Sequence, residues 1–198
     1  PTLELAQSYA EHAPGMTLVG YTSRALAYAE KSLEIRQRFG DWWGQGQTLH
    51  YFGVVYYSAA QYRKCIEKCR EAIRLLERTG DYWQCHIARY QIAASLYRLG
   101  DLSGALEEAQ LNHKSGLELG DEQASGIILD VWVRATGGAL PEQIMTRELT
   151  RLRPDAQGRS QVLFANGVRL LENGRIDQAE EFLQQAVDVA AQAGVQNP

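Results

Sequence analysis

"GDWWGQGQTLHYFGVVYYSAAQYRKCIEKCREAIRLLERTGD", residues 40–81, begins and ends on the same dipeptide, forty residues apart. A third copy, Gly120-Asp121, follows at the same spacing. Each copy closes an amphipathic run: "RALAYAEKSLEIRQRF", "RKCIEKCREAIRLLERT" and "ALEEAQLNHKSGLEL". Glycine just past a helix end takes the left-handed conformation at low cost, and aspartate caps the next helix by accepting its free N–H groups. Each Gly-Asp therefore predicts one helix stopping and another starting with almost no loop. A second set of breaks falls midway, at Gly20, Ala60 and Gly100, and again at Gly174. The last gap, 74 residues, resolves into one repeat of 40 and one of 34, with a degenerate turn at 138–141. The chain thus parses into about five helix pairs, 3–39, 41–79, 81–119, 121–153 and 156–194. No strand-like alternation bounded by turn signals interrupts them.

Within the pairs the same residue classes recur. The second has Phe52-Gly53, Tyr56, the turn at Ala60, then Tyr62, Cys65, Cys69 and Ala72. The third has Ile92-Ala93, Leu96, Gly100, then Leu102, Ala105 and Ala109. The fifth has Asn166-Gly167, Leu170, Gly174, then Ile176, Ala179, Leu183 and Ala186. Small residues let two antiparallel helices cross closely while large ones fill the space beside them.

This pattern resembles the tetratricopeptide repeat (TPR), in the forty-residue form found in large bacterial signalling proteins. The resemblance implies an all-α fold, a right-handed α-solenoid of about five antiparallel helix pairs, forming a single TPR-like superhelical domain over residues 1–198. The fourth pair departs from the pattern where Leu140-Pro141 replaces the turn, and Asn112 breaks the small-residue series of the third. "HAPGMTLVG" interrupts the first pair with Pro14 and Gly15, so residues 3–12 are expected to form a short leading helix. The opening Pro1 and the ending "GVQNP" suggest a piece of a longer protein.

The resemblance also implies a function: a non-catalytic protein-protein interaction or scaffold module whose concave groove binds a peptide or another domain. In signalling proteins of this kind the parent chain carries a kinase, nucleotide cyclase, ATPase or transcription-regulator domain, and the array acts in trans or on its neighbours. First helices line the concave side, so the candidate groove residues are Gln47, His50, Val54 and Tyr57, then Ile87, Tyr90, Ala94, Tyr97 and Arg98, and Phe164 of the fifth pair. Members that clamp a C-terminal carboxylate use Lys, Asn and Arg on these faces. Here His50, Val54 and Ala94 occupy such positions, so that clamp is absent. The alternative is a small-ligand sensor or helical enzyme with a pocket among His50, Tyr57, Tyr90, Tyr97 and Arg98.

Composition narrows the rest. A hydrophobic content of 45% with 22% charged residues fits a folded chain rather than a disordered one. A net charge of −4 lacks the basic footprint of non-specific nucleic-acid binding. The odd cysteine count, Cys65, Cys69 and Cys85, points to a reducing, cytoplasmic setting. The apolar runs are too short for a membrane span.

Cys65 and Cys69 occupy small-residue slots and read as packing rather than metal ligation. No phosphate loop, metalloprotease signature or nucleophile elbow occurs, so neither an active site nor a cofactor or metal is expected. Trp42, Trp43 and Trp83 follow the Gly-Asp caps and are expected to staple one repeat to the next. Arg147, Arg151, Arg153 and Arg159 form a local basic patch. A dimer, if formed, is expected to pair at an uncapped apolar end of the array.

Overall fold

At Phe39 the second helix stops and at Trp42 the third begins, and the two residues between do the whole work of the turn. Gly40 has φ of 64°, and the Asp41 carboxylate accepts from Gly44 N at 2.9 Å. The same pair of devices recurs at Gly80-Asp81, with Gln84 N at 3.0 Å, and at Gly120-Asp121, with Ala124 N at 3.0 Å. The midway breaks share the left-handed backbone, including the non-glycine Ala60 at φ 55°. An alanine there costs about 1 kcal/mol, and its neighbours hold it in place.

In this computed structural model, residues 1–151, 156–192 and 194 are described. They are helical throughout, with no strand among them. The chain divides into two compact units, Pro1–Leu99 and Gly100–Pro198. The first unit comprises α1 (Leu3–Leu18), α2 (Thr22–Phe39), α3 (Trp42–Ser58), α4 (Tyr62–Thr79) and α5 (Tyr82–Arg98). The second comprises α6 (Leu102–Leu119), α7 (Glu122–Ile127), α8 (Leu129–Ala135), α9 (Glu142–Thr150), α10 (Ala156–Glu172) and α11 (Ile176–Gln192).

In the first unit, α1 packs on α2, α3 on α4, and α5 against α4. Ala13, Ala25, Ala29, Phe52 and Val55 form one core cluster, with Leu49, Cys65, Ile66, Ile73, Leu76 and Ile92 in the next. Each fully buried large aliphatic side chain stabilises by roughly 1.5–3 kcal/mol. The crossing of α3 and α4 is tightest at Gly53, where an added Cβ would lie 2.3 Å from Cys69 Sγ. Gly167 serves the same purpose between α10 and α11, with Leu183 Cγ at 2.7 Å from such a Cβ.

One expectation needs correction. The leading helix does not end near residue 12: α1 runs through Pro14 to Leu18. The proline removes one helical hydrogen bond, at a cost of about 3 kcal/mol. The burial of Ala6, Ala10, Ala13 and Thr17 along one face offsets that cost. In the fourth pair the first helix is broken at Ile128 into α7 and α8, and α9 has nine residues. Gly137 and Gly138, at φ 56° and 87°, make the turn that precedes Leu140-Pro141. Asn173 fastens this turn to the end of α10, donating to Gly138 O at 3.1 Å and Arg169 O at 2.7 Å.

Candidate functional site

Nine of the ten candidate residues lie in the first unit, on α3 and α5, and Phe164 lies on α10 in the second. Their exposures differ. Gln47, His50 and Ala94 are buried, Val54, Tyr57, Ile87, Tyr90 and Tyr97 are half-buried, and Arg98 and Phe164 are exposed.

The buried members are engaged inside the unit. His50 donates through Nδ1–H to Gln84 Oε1 at 2.9 Å, a bond that joins α3 to α5. Burial lowers the His50 pKa to about 4, so the ring is neutral, and its buried Nε2 has no hydrogen-bond partner. Gln47 Oε1 accepts from Arg36 Nη2 at 3.2 Å.

The outer members form the accessible part. Tyr57 meets Tyr62 edge-on with centroids 5.5 Å apart, and Arg98 lies beside Tyr57, which raises the guanidinium pKa. Tyr57, Tyr62, Tyr97 and Arg98 thus gather near the turn end of α3 and α5. Tyr62, from the recurring pattern of the second pair, is half-buried and completes this group. Phe164 stands in the second unit with the Arg134 guanidinium 5.5 Å from its ring centroid.

Trp42 and Trp43 link successive helices. Trp43 Nε1–H donates to Asp81 Oδ2 at 2.7 Å, joining the start of α3 to the cap of α5. The Arg78 guanidinium lies 4.9 Å from the Trp42 ring centroid. All three thiols are buried. Burial pushes Cys85 up to about 12, and the Cys65 and Cys69 sulfurs lie 4.0 Å apart at the α3–α4 crossing.

Two polar groups escaped the sequence reading. The first is Arg36, only 1% exposed, on α2. Its position is forty residues before Leu76, so a guanidinium fills a slot that is aliphatic in the next repeat. That substitution within the period was the available signal.

The second is Glu148 on α9, also 1% exposed, which gathers polar groups from three helices. Ser125 Oγ donates to it at 3.2 Å, His113 Nε2 lies at 3.4 Å and Arg147 Nε at 3.5 Å. Arg151 Nη1 donates to Ser125 Oγ at 3.1 Å and stands 3.9 Å from Glu148. Two arginines of the basic patch are therefore paired with a buried acid, Arg159 is exposed, and Arg153 lies outside the described residues. No group of three or more metal-ligating side chains occurs among the described residues. Among the described residues no helix is long and apolar enough to cross a membrane.

No family model and no curated protein matches the chain. Among solved structures, the chain is similar to the nearly identical TPR-like repeats of a Podosopora anserina kinesin light chain. One such structure has a TM-score of 0.61 at 16% identity, covering 100% of this chain and 99% of that one. A single-substitution variant has a TM-score of 0.67 at 15% identity, covering 95% of each. Likeness at this identity speaks for the backbone alone, and it agrees with the glycine turns, aspartate caps and small-residue crossings: the fold is an all-α, TPR-like helical repeat.

Proposed function

We propose that the chain is a non-catalytic protein-interaction module, and that Tyr57, Tyr90, Tyr97 and Arg98 in its first unit form the surface that meets a peptide or a folded partner. The observation that carries this reading is the gathering of half-buried tyrosines and an exposed arginine on α3 and α5. Rings held part-way out of a helix pair lose little rotamer freedom on binding, and Tyr and Arg dominate interface energetics. Val54 and Ile87, half-buried on the same two helices, supply apolar area, while Gln47, His50 and Ala94 support the surface from beneath. Phe164 offers a separate aromatic contact in the second unit.

The setting that best suits such a module is a cytoplasmic regulatory protein of the bacterial signalling type, in which the partner is a neighbouring domain or a second protein. The three unpaired thiols support a reducing compartment. An end-to-end dimer is part of the same proposal. Leu171, Ile176 and Val187, on α10 and α11, are half or more exposed and line one apolar face. The small-ligand alternative is weaker, because His50 has its only N–H committed to Gln84.

The test is a paired capture from source-cell lysate. The chain and its Tyr57→Ala, Tyr90→Ala, Tyr97→Ala variant, both checked for helicity, are incubated in parallel and bound proteins identified by mass spectrometry. A protein retained by the first and lost by the second is the expected result. Equal recovery by both would remove the tyrosine surface from consideration.

A further inference from the structure

The two helices that carry the tyrosine surface are unusual in their charge. α3 holds no charged residue over its 17 positions, and α5 holds only Arg89 and Arg98. Neither helix carries an acid. Arg89 is half-buried, whereas Arg98 is exposed in the last turn of α5. The groups that act on the Arg98 guanidinium are the phenols of Tyr57, Tyr62 and Tyr97, with no carboxylate among them. Asp41 and Asp81, which cap α3 and α5, stand at the opposite ends of these helices, about 25 Å away along the axis.

The wider field has the same sign. Residues 1–99 carry twelve lysines and arginines against nine aspartates and glutamates, in a chain whose net charge is −4. A surface of this sign draws in anions and repels cations. The planar guanidinium matches a carboxylate with two parallel N–H bonds, and phenol hydroxyls donate to the same acceptor.

Other occupants fit less well. A lysine-bearing segment would meet two arginines and no acid on these helices. An uncharged segment would cover Arg98 without offering it a counter-charge. A lone small anion would be held by one exposed cation, a contact worth little in water. A peptide with Asp or Glu side chains sets a carboxylate on Arg98 and lays its apolar groups against Val54 and Ile87, both half-buried. We infer that the surface on α3 and α5 takes an acidic peptide segment, and that Arg98 is the residue that selects it by charge. This inference rests on the tyrosine surface of the preceding section and adds the chemistry of its occupant.

The test is a titration of the 198-residue chain, read by fluorescence anisotropy, with three labelled, end-capped peptides in which Ala alternates with Glu, Gln or Lys. The Glu peptide is expected to bind tightest and the Lys peptide weakest. Arg98→Gln should weaken the Glu peptide about tenfold and leave the Gln peptide unchanged. Arg70→Gln with Arg74→Gln, two exposed changes on α4 outside the surface, should leave the Glu peptide bound as before. A Glu peptide that binds no tighter than the Gln peptide, or does not bind, overturns the inference. So does indifference to Arg98→Gln, or an equal loss in the α4 variant. The Tyr57→Ala, Tyr90→Ala, Tyr97→Ala variant, expected to lose both peptides, separates the inference from the reading beneath it. Where that variant loses Glu and Gln peptides that the parent chain bound equally, the tyrosine surface stands and its charge selection falls. Where it binds the Glu peptide as the parent does, the surface itself falls.

Discussion

Gly53 and Gly15 are both helical glycines, and they predict opposite responses to the same substitution. At Gly53 a methyl group would strike Cys69 Sγ at 2.3 Å, inside a crossing that also buries Cys65. Gly53→Ala is expected to destabilise by about 1–3 kcal/mol through overpacking. Gly15 has nothing within 4 Å of such a group, so Gly15→Ala should stabilise by up to about 1 kcal/mol through helix propensity. Thermal melts of the two variants beside the parent chain decide both. The role of Gly53 was legible, because large-small pairing marked it as the point of close approach. The state of His50 was not, because it depends on Gln84, thirty-four residues away. Its folded pKa, about 4, lies below the ordinary 6.5. The unfolded chain therefore binds the proton more readily. The stability this burial preserves is complete above pH 6.5 and is lost as pH falls toward 4, by about 3 kcal/mol. Chemical denaturation at a series of pH values should show a shallower acid decline for His50→Gln than for the parent.

At the level of helices, the aspartates carry unequal loads. Asp101 caps α6 at Gly104 N. Asp81 caps α5 at Gln84 N and also receives the Trp43 indole N–H from the start of α3. Asp101→Ala should cost about 1 kcal/mol, and Asp81→Ala about 1 kcal/mol more. A double-mutant cycle with Trp43→Phe separates the two contributions: coupling of about 0.5–1.5 kcal/mol is expected with Asp81, and none with Asp101. Helix ends were readable in advance because Gly and Asp act through their own backbone neighbours. The course of α1 through Pro14 was not, since local rules stop a helix there and only the packing of Ala6, Ala10 and Ala13 against α2 carries it on. The break at Ile128 had a partial signal in the irregular spacing of the fourth pair, but nothing in that spacing fixed where the helix would divide.

For the whole molecule, the forty-residue spacing of Gly40, Gly80 and Gly120 was the strongest information in the chain, because each marks a backbone conformation that side chains resist. Such a period specifies helices and turns with little ambiguity. It is nearly silent on which polar groups become buried. Arg36 and Glu148 are charged residues enclosed by helices distant in sequence, and neither breaks the pattern of Gly and Asp around it. The placing of tyrosines on α3 and α5 followed from spacing, while the convergence of Gln7, Gln47 and Asp41 on Arg36 did not.

The tie between Asn173 and Gly138 also bears on how the molecule ages. Asn-Gly is the dipeptide most prone to deamidation, which begins when the glycine nitrogen attacks the asparagine side-chain carbonyl and expels ammonia. In the folded chain the Asn173 amide is held by Gly138 O and Arg169 O, and the Gly174 N–H is committed to Leu171 O at 3.0 Å. Both reacting groups are tethered away from the cyclic intermediate, and only opening of this turn releases them. Deamidated Asn173 would therefore accumulate in proportion to the time a molecule spends locally open, a chemical clock written into the junction of its last helix pair.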